Sequence, residues 1–273
     1  MLEKTPVCAV GVCYDLDPVS FASRLRKIAR RHGATLDLVV VANNPRHAMA
    51  MAPSWFDLVP GSNELLDFSG YFEGLQRHQS RASIIQCRSV LFVNDSLFTK
   101  HAAEQILGRV LRLEPLVQQI LPPAICGKLD CYRSFAMNNP WSGLPGYITS
   151  FCFALNKEAL QSLERLPALA ELDGVDSTLM PDSSDWGRGL PTVIREYLRA
   201  HLSYPSSPYR WPRAANASTQ LLSRKAACAY FEHRMSGVIG SSGVLLPINA
   251  GPRAEACIAF SEALARVTRR LGR

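Results

Sequence analysis

The chain has 273 residues, 47% of them hydrophobic and 19% charged, a balance that excludes a disordered chain, a collagen, a coiled coil and a small disulfide scaffold. Lys and Arg number 30 against 23 Asp and Glu, and the net charge of +7 favours anionic partners such as nucleotides, lipid headgroups or nucleic acid without choosing among them. A chain of this length buries roughly three quarters of its unfolded surface, in one large domain or two small ones.

Val7–Tyr14 reads as a buried strand. Asp17 followed by Pro18 is a helix start, a side-chain cap and then a preset φ, and Phe21, Leu25, Ile28 and Ala29 share one face of the helix that follows. Gly33 is a stop, and Leu36–Val41, apolar but for Asp37, is a strand, so the first forty residues form a βαβ unit with parallel strands covered on both sides. Arg46–Pro60 reads as irregular. Gly61–Leu75 reads as a turn entering a helix, with Phe68, Phe72 and Leu75 at helical spacing. Ser89–Val93 is a third strand, Thr99 a cap for a helix striped with Ile106, Leu107, Val110 and Leu111, and Pro122-Pro123 its end. Ile125–Phe135 is a strand candidate, Met137–Gly146 a loop, Tyr147–Leu155 a strong strand, and Asn156 the cap of a helix over Lys157–Leu166. After an acidic loop, Glu171–Arg188, come a helix over Thr192–Leu202, an aromatic loop over Ser203–Pro212, a helix over Ser223–Arg234, a hairpin-like Gly237–Ile248 and a basic helix over Arg253–Leu271.

No apolar run approaches the roughly 20 residues of a membrane span, and the first six residues lack the basic start and apolar core of a secretory signal, so a cytosolic chain is expected. Its eight cysteines, Cys8, Cys13, Cys87, Cys126, Cys131, Cys152, Cys228 and Cys257, sit mostly in apolar runs and are expected as small core residues, not bridges or ligands. Neither Cys-x-x-Cys nor His-Glu-x-x-His occurs, which argues against a structural zinc or a zincin site.

In open α/β sheets ligands bind beyond the carboxyl ends of the strands. Four polar clusters are expected there: Tyr14-Asp15, Asn43-Asn44, Asn63 to Asp67, and Asn94-Asp95-Ser96. A carboxylate fixed at a strand end, as at Asp95, suits a hard divalent ion that shares phosphate oxygens and neutralises a diphosphate leaving group.

The order of motifs resembles bacterial GT-A-type glycosyltransferases of the rhamnan-synthesis and polysaccharide-biosynthesis kind. The residues that carry the likeness are Asn63, Asp67-Phe68, Gly70-Tyr71 and Gly74-Leu75; then Val90 to Val93 running into Asn94-Asp95-Ser96; then Ser150 to Leu155 leading into Lys157 to Leu160. It spans about residues 5 to 200. The resemblance implies a GT-A-like Rossmann-type open, mostly parallel sheet flanked by helices, with a nucleotide-sugar donor as co-substrate. Tyr14, Asp15 and Asn43-Asn44 would lie near base and ribose, Asn63 and Asp67 near ribose or sugar, and Asn94, Asp95 and Ser96 near the diphosphate. Asp95 would stand where such enzymes keep an Asp-x-Asp metal motif for Mn²⁺ or Mg²⁺. The triplet here has one carboxylate, so a basic side chain (Arg81, Arg88, Lys100 or Arg210) is the alternative neutralising group.

On the acceptor side an inverting transferase needs a carboxylate base, and a retaining one need not have it. Asp182, Asp185 and Glu196 are the carboxylates in reach by sequence, with Asp185 and Glu196 the catalytic candidates. Asp185 is favoured because Trp186-Gly187 follows it and could bound a sugar face. Trp141, Tyr204, Tyr209 and Trp211 are candidate stacking platforms, and His201 or His233 a late metal ligand. The last helix sets Ile258, Leu264, Val267 and Leu271 near one face beside Arg266, Arg269, Arg270 and Arg273, and could lie on an anionic membrane, on its own domain or on a twin subunit.

The expectation is thus an α/β protein with a nucleotide-sugar and acceptor-binding domain over residues 1–222 and a helical C-terminal appendage, 223–273, packed on it. It would transfer a sugar to a glycan or lipid-linked glycan acceptor of lipopolysaccharide, O-antigen or capsule, bind no nucleic acid, and work in the cytoplasm or at the inner face of the cytoplasmic membrane. Asp95→Ala is expected to abolish transfer and spare the fold. The alternatives are a non-catalytic assembly protein with a degenerate transferase fold and a Rossmann-like methyltransferase, the latter disfavoured because no glycine-rich turn follows the first strand.

Overall fold

The computed structural model describes residues 6–47, 51–81, 87–132, 137–207 and 210–271. Strands β1 (Val7–Cys13), β2 (Leu36–Ala42), β3 (Asp57–Pro60), β4 (Ser89–Asn94), β5 (Ala124–Cys131), β6 (Gly146–Asn156) and β7 (Val244–Pro247) form one seven-stranded sheet in the order β3-β2-β1-β4-β6-β5-β7. β6 runs antiparallel to both its neighbours, and every other pairing is parallel. The helices are α1 (Pro18–Arg31), α2 (Asp67–Ser80), α3 (Ser96–Lys100), α4 (Ala103–Val117), α5 (Lys157–Glu164), α6 (Leu166–Leu172), α7 (Thr192–Leu202), α8 (Thr219–Ser242) and α9 (Pro252–Leu271). This is the open, mostly parallel α/β sheet flanked by helices that the sequence leads one to expect of a GT-A-like fold.

Every residue of β1, β4 and β6 is buried, so their apolar runs need cover on both faces. On one face α1 and α4 bring Phe21, Leu25, Ile106 and Val110 against Ala9, Val40 and Leu91. On the other, α2 and α8 bring Phe68, Tyr71, Tyr230 and Phe231 against Val10, Val12, Phe92 and Phe153. α2 lies close on β1 because Gly74 has no side chain there: a Cβ would fall 2.3 Å from Val10 Cγ1. Asp17 caps α1, accepting from Val19 N and Ser20 N, and Asn156 caps α5 through Ala159 N.

Several expectations are corrected. Residues 57–60, read as irregular, form the short edge strand β3 beside β2. Thr99 lies within α3 and donates to Asp95 O at 3.2 Å, so it does not cap α4. No hairpin spans 237–248: α8 continues to Ser242, and β7 joins β5 in parallel. Gly237 serves close packing, since a Cβ there would fall 2.7 Å from Asn139 Oδ1 and 2.9 Å from Trp141 Cβ. The expected boundary at 222/223 falls inside α8, and β7 from beyond it belongs to the same sheet. Cys8 and Cys87 are joined in a disulfide, because the start of β1 and the approach to its neighbour β4 lie side by side.

α9 covers its own domain along one face. Ile258 is buried, Lys128 Nζ donates to Glu262 Oε1 at 2.9 Å, and His101 Nδ1 lies 3.1 Å from the same oxygen. Against its desolvation, the hydrogen bonds of His101 and Lys128 hold Glu262 down to about 2. Phe260, Leu264 and Val267 are exposed. No helix among the described residues is long and apolar enough to cross a membrane.

Candidate functional site

The chain leaves β1 for β2 on one side and later returns to place β4 on the other, so the carboxyl ends of β1 and β4 flank the topological switch point of the sheet, where a crevice opens by construction. Asp95 stands there. Its backbone N–H donates to Val12 O at 3.0 Å, and its side-chain Oδ2 accepts the N–H groups of Tyr14 (2.8 Å), Asp15 (2.7 Å) and Leu16 (3.0 Å). Asp95 is therefore buried and holds the β1–α1 loop in shape. Asn94 is buried too, its Oδ1 accepting from Ser96 N at 3.1 Å and from Ser96 Oγ at 2.5 Å.

The second loop is organised in the same way. Asn43 is buried and its Nδ2 donates to Leu66 O at 2.8 Å, while its Oδ1 has no hydrogen-bond partner and faces the space where a Cβ on Gly61 would stand. Asn63 and Leu66 have φ of 56° and 53°, a left-handed backbone that non-glycine residues adopt only under constraint, and here it turns the chain into α2. Asn44 Nδ2 donates to Tyr14 O at 3.0 Å. The polar residues that sequence marks as donor-binding, Asn43, Asn44, Asn94, Asp95 and Ser96, are thus largely the scaffold of two loops, with Tyr14 and Asp15 exposed at the rim.

Asp67, the first residue of α2, is the carboxyl that the scaffold presents. Desolvation pushes it up to about 6, Asp95 and Glu232 add repulsion, and Lys225 and Lys100 oppose the rise. Lys225 is held above its ordinary value, the fields of Cys228, Glu232 and Asp67 outweighing desolvation. Lys100 is lowered by desolvation and by the nearby Arg213 and Lys225. Glu232 is raised by desolvation, although Lys225 opposes this and Ser150 N donates to its Oε1 at 2.5 Å. Three carboxyl groups and three cations therefore share one field at the strand ends.

Lys225 and Glu232 escape sequence reasoning. The signal was there, since they stand seven positions apart on one face of α8, flanking the apolar run from Ala226 to Phe231. What it lacked was the knowledge that α8 packs over the sheet beside α2, with the Phe68 and Phe231 rings 5.4 Å apart.

The donor set does not fit a hard divalent ion. Three amide donors occupy Oδ2 of Asp95, leaving one oxygen, and Asp67 already lies in the field of two lysines. His233 is corrected as a metal ligand. Asn139 Nδ2 donates to Tyr132 Oη, which is hydrogen-bonded to His233 Nδ1 at 2.7 Å, and burial pushes His233 down to about 3. Among the described residues the one grouping of three or more potential metal ligands, Cys8, Asp37 and His78, lies elsewhere.

Asp185 and Glu196 are not among the main electrostatic neighbours of Asp67. Asp185 is exposed and paired with Arg188, and it lines a cleft of about 680 Å³ together with Leu65, Val175, Leu179, Ala227 and Phe231. Glu196 accepts from Arg199 Nη1 and from Tyr204 Oη, each at 2.9 Å. Those bonds outweigh its desolvation and hold it below the usual carboxylate range, the reverse of what a general base needs. Trp186 is wholly buried and cannot bound a sugar. Trp141 stacks under Arg234, 4.5 Å from its ring centre, and Trp211 packs on the core. Tyr204 is exposed, and Tyr209 lies outside the described residues.

No protein-family model matches the chain, and no curated protein does. Among solved structures it is similar to one described as a glycosyltransferase involved in the glycosylation of the major capsid of PBCV-1, at 10% identity and a TM-score of 0.30, over 96% of this chain and 100% of that one. A superposition that loose bears on neither fold nor chemistry.

Proposed function

We propose that the chain is a glycosyltransferase that moves a sugar from a nucleotide-sugar donor to a glycan acceptor. The observation that carries this reading is that Lys100 and Lys225 act together on Asp67, with Arg213 acting on Lys100, where the sheet's switch point opens. Cations in a partly desolvated crevice stabilise a diphosphate as it departs, and they do so without a metal ion. Asp67, its carboxyl raised toward neutrality, is suited to take the proton of the attacking hydroxyl. Asp95 is a positioning residue that keeps the Tyr14–Leu16 loop in place for the nucleotide. The cleft lined by Leu65, Asp185 and Phe231 would receive the acceptor.

The motif order that resembles rhamnan-synthesis and polysaccharide-biosynthesis enzymes supports a bacterial lipopolysaccharide, O-antigen or capsule intermediate as that acceptor. If it is lipid-linked, the exposed Phe260, Leu264 and Val267 of α9 would meet the inner face of the membrane. One observation favours a second reading, a non-catalytic assembly protein: the carboxylate at the metal-motif position serves the loop and is not open for an ion.

Calorimetry with UDP, GDP, dTDP and CMP, each with and without Mn²⁺, tests the proposal. One nucleotide should bind, equally well without metal, and Lys100→Ala and Lys225→Ala should each weaken it about tenfold or more. Binding without turnover on any glycan would favour the assembly protein. Binding of S-adenosylmethionine with no nucleotide bound would favour a methyltransferase and end the glycosyl-transfer reading.

A further inference from the structure

Beside the crevice, on the face of the sheet that α1 and α4 cover, separate segments of the chain meet over one ring. Phe151 stands on β6 one residue beyond the last β4–β6 pair, Val93 with Cys152, and so next to the carboxyl end of β4. The imidazole of His101 stacks on it, the ring centres 3.8 Å apart and the planes 13° from parallel. Lys128 reaches the same ring from β5, its Nζ 6.0 Å from the centre. Glu262 of α9 closes the cluster. Its carboxylate accepts from Lys128 Nζ on both oxygens, at 2.9 and 3.0 Å, and from His101 Nδ1 on Oε1 at 3.1 Å. An ionised carboxylate only accepts, so the imidazole proton lies on Nδ1.

His101 matters because of what precedes it. α3 has five residues and ends at Lys100, with His101 as its extended C-cap. The start of α3 is fixed: Phe98 N and Thr99 N both donate to Asp95 O, at 3.1 and 3.2 Å, and Leu97 is wholly buried. A helix of little more than one turn has almost no rigidity of its own. The direction in which Lys100 leaves it is therefore set by its two anchors, Asp95 at one end and His101 at the other.

We infer that Glu262 is a positioning residue for the donor site: through His101 it fixes the end of α3 and so aims Lys100 at the departing diphosphate. Lys100 is a diphosphate cation in the glycosyl-transfer reading, on which this rests. The side chains of Lys128 and Glu262 are 21% and 14% exposed, and an ion pair so far withdrawn from water returns little net stability. What it supplies here is a defined place for the imidazole. α9 thus has a part in the donor site as well as in covering the domain, although Glu262 lies 161 residues beyond His101 in the chain.

The test is calorimetry of the full chain with UDP, GDP, dTDP and CMP, continued with whichever of them the native chain binds. Glu262→Ala should weaken that nucleotide about fivefold or more, and Glu262→Gln, which keeps an acceptor for both His101 and Lys128, should stay within about twofold of the native chain. Because Glu262→Ala leaves Lys128 without its carboxylate and risks the fold, His101→Phe serves beside it: the stack on Phe151 is kept, the bond to Glu262 is lost, and the same weakening is expected. The double variant separates positioning from mere support of the fold. With Lys100 already replaced by Ala, neither Glu262→Ala nor His101→Phe should weaken binding further, because both act by way of that lysine. A native chain that binds none of the nucleotides overturns the glycosyl-transfer reading and this inference together. A native chain that binds one, with His101→Phe equal to it or with the losses in the double variants simply adding, overturns this inference alone.

Discussion

Asp95 Oδ2 receives the backbone N–H of Asp15 at 2.7 Å, one of three amides from the β1–α1 loop that close on the same oxygen. A carboxylate bonded to consecutive amides fixes a loop more firmly than any neutral side chain, because each bond is charge-assisted. Asp95→Ala should therefore destabilise the fold as well as nucleotide binding, by about 3 kcal/mol in urea unfolding. An unchanged unfolding midpoint would return Asp95 to the purely functional part that sequence alone suggests.

Asp67 carries a pH signature. Its folded value of about 6 lies above the ordinary 3.8, so the folded state holds the proton more tightly. Below pH 4 the group is protonated in both states and has no effect; as pH rises through 6 the stability it permitted is lost. Asp67→Asn should be more stable than the native chain at pH 8 and equal to it near pH 4, measured as melting temperature across that range. If Asp67 takes the acceptor proton, kcat/KM should also climb with a midpoint near pH 6, and Asp67→Asn should lose about 100-fold or more.

His233 acts with the opposite sign. Burial holds its folded value at about 3 against an ordinary 6.5, so the unfolded chain takes up a proton first as the solution is acidified. Its contribution is whole above pH 6.5 and declines toward pH 3, by up to about 1.4 kcal/mol per pH unit. His233→Gln retains a hydrogen-bonding partner for the Tyr132 hydroxyl but cannot ionise. Its stability between pH 6.5 and 4 should fall less steeply than that of the native chain, as followed by urea midpoints.

Gly74 sets the distance between α2 and β1. With Val10 Cγ1 2.3 Å from where its Cβ would be, Gly74→Ala should destabilise by about 1–3 kcal/mol. Val10→Ala made in the same chain should recover part of that loss. Simple additivity in the double mutant would mean that the two residues do not press on each other.

Local chemistry made much of this molecule legible. The helix start at Asp17-Pro18, the cap at Asn156 and the apolar runs of β1, β4 and β6 follow from short-range patterning, because a cap needs only the next three residues and a strand buried on both faces shows no regular polar alternation. The glycines at 70 and 74 were visible as a motif, but their reason is the contact of α2 with Val12 and Val10. Gly237 misled, since a glycine that permits close packing looks in one dimension like one that permits a turn.

The sequence by itself determined which segments are apolar enough to be core, and hence an α/β fold with polar loops after its parallel strands. Tertiary structure decided the parts those loops play: that Asp95 faces three amides, that Lys225 and Glu232 reach the strand ends from a helix more than a hundred residues away, and that Cys8, from one strand, meets Cys87 from the approach to another. The physical reason is that burial of apolar surface is short-ranged in sequence and readable from periodicity. The field and the ligands around a charge depend on what packs beside it, and packing joins residues that the chain keeps far apart.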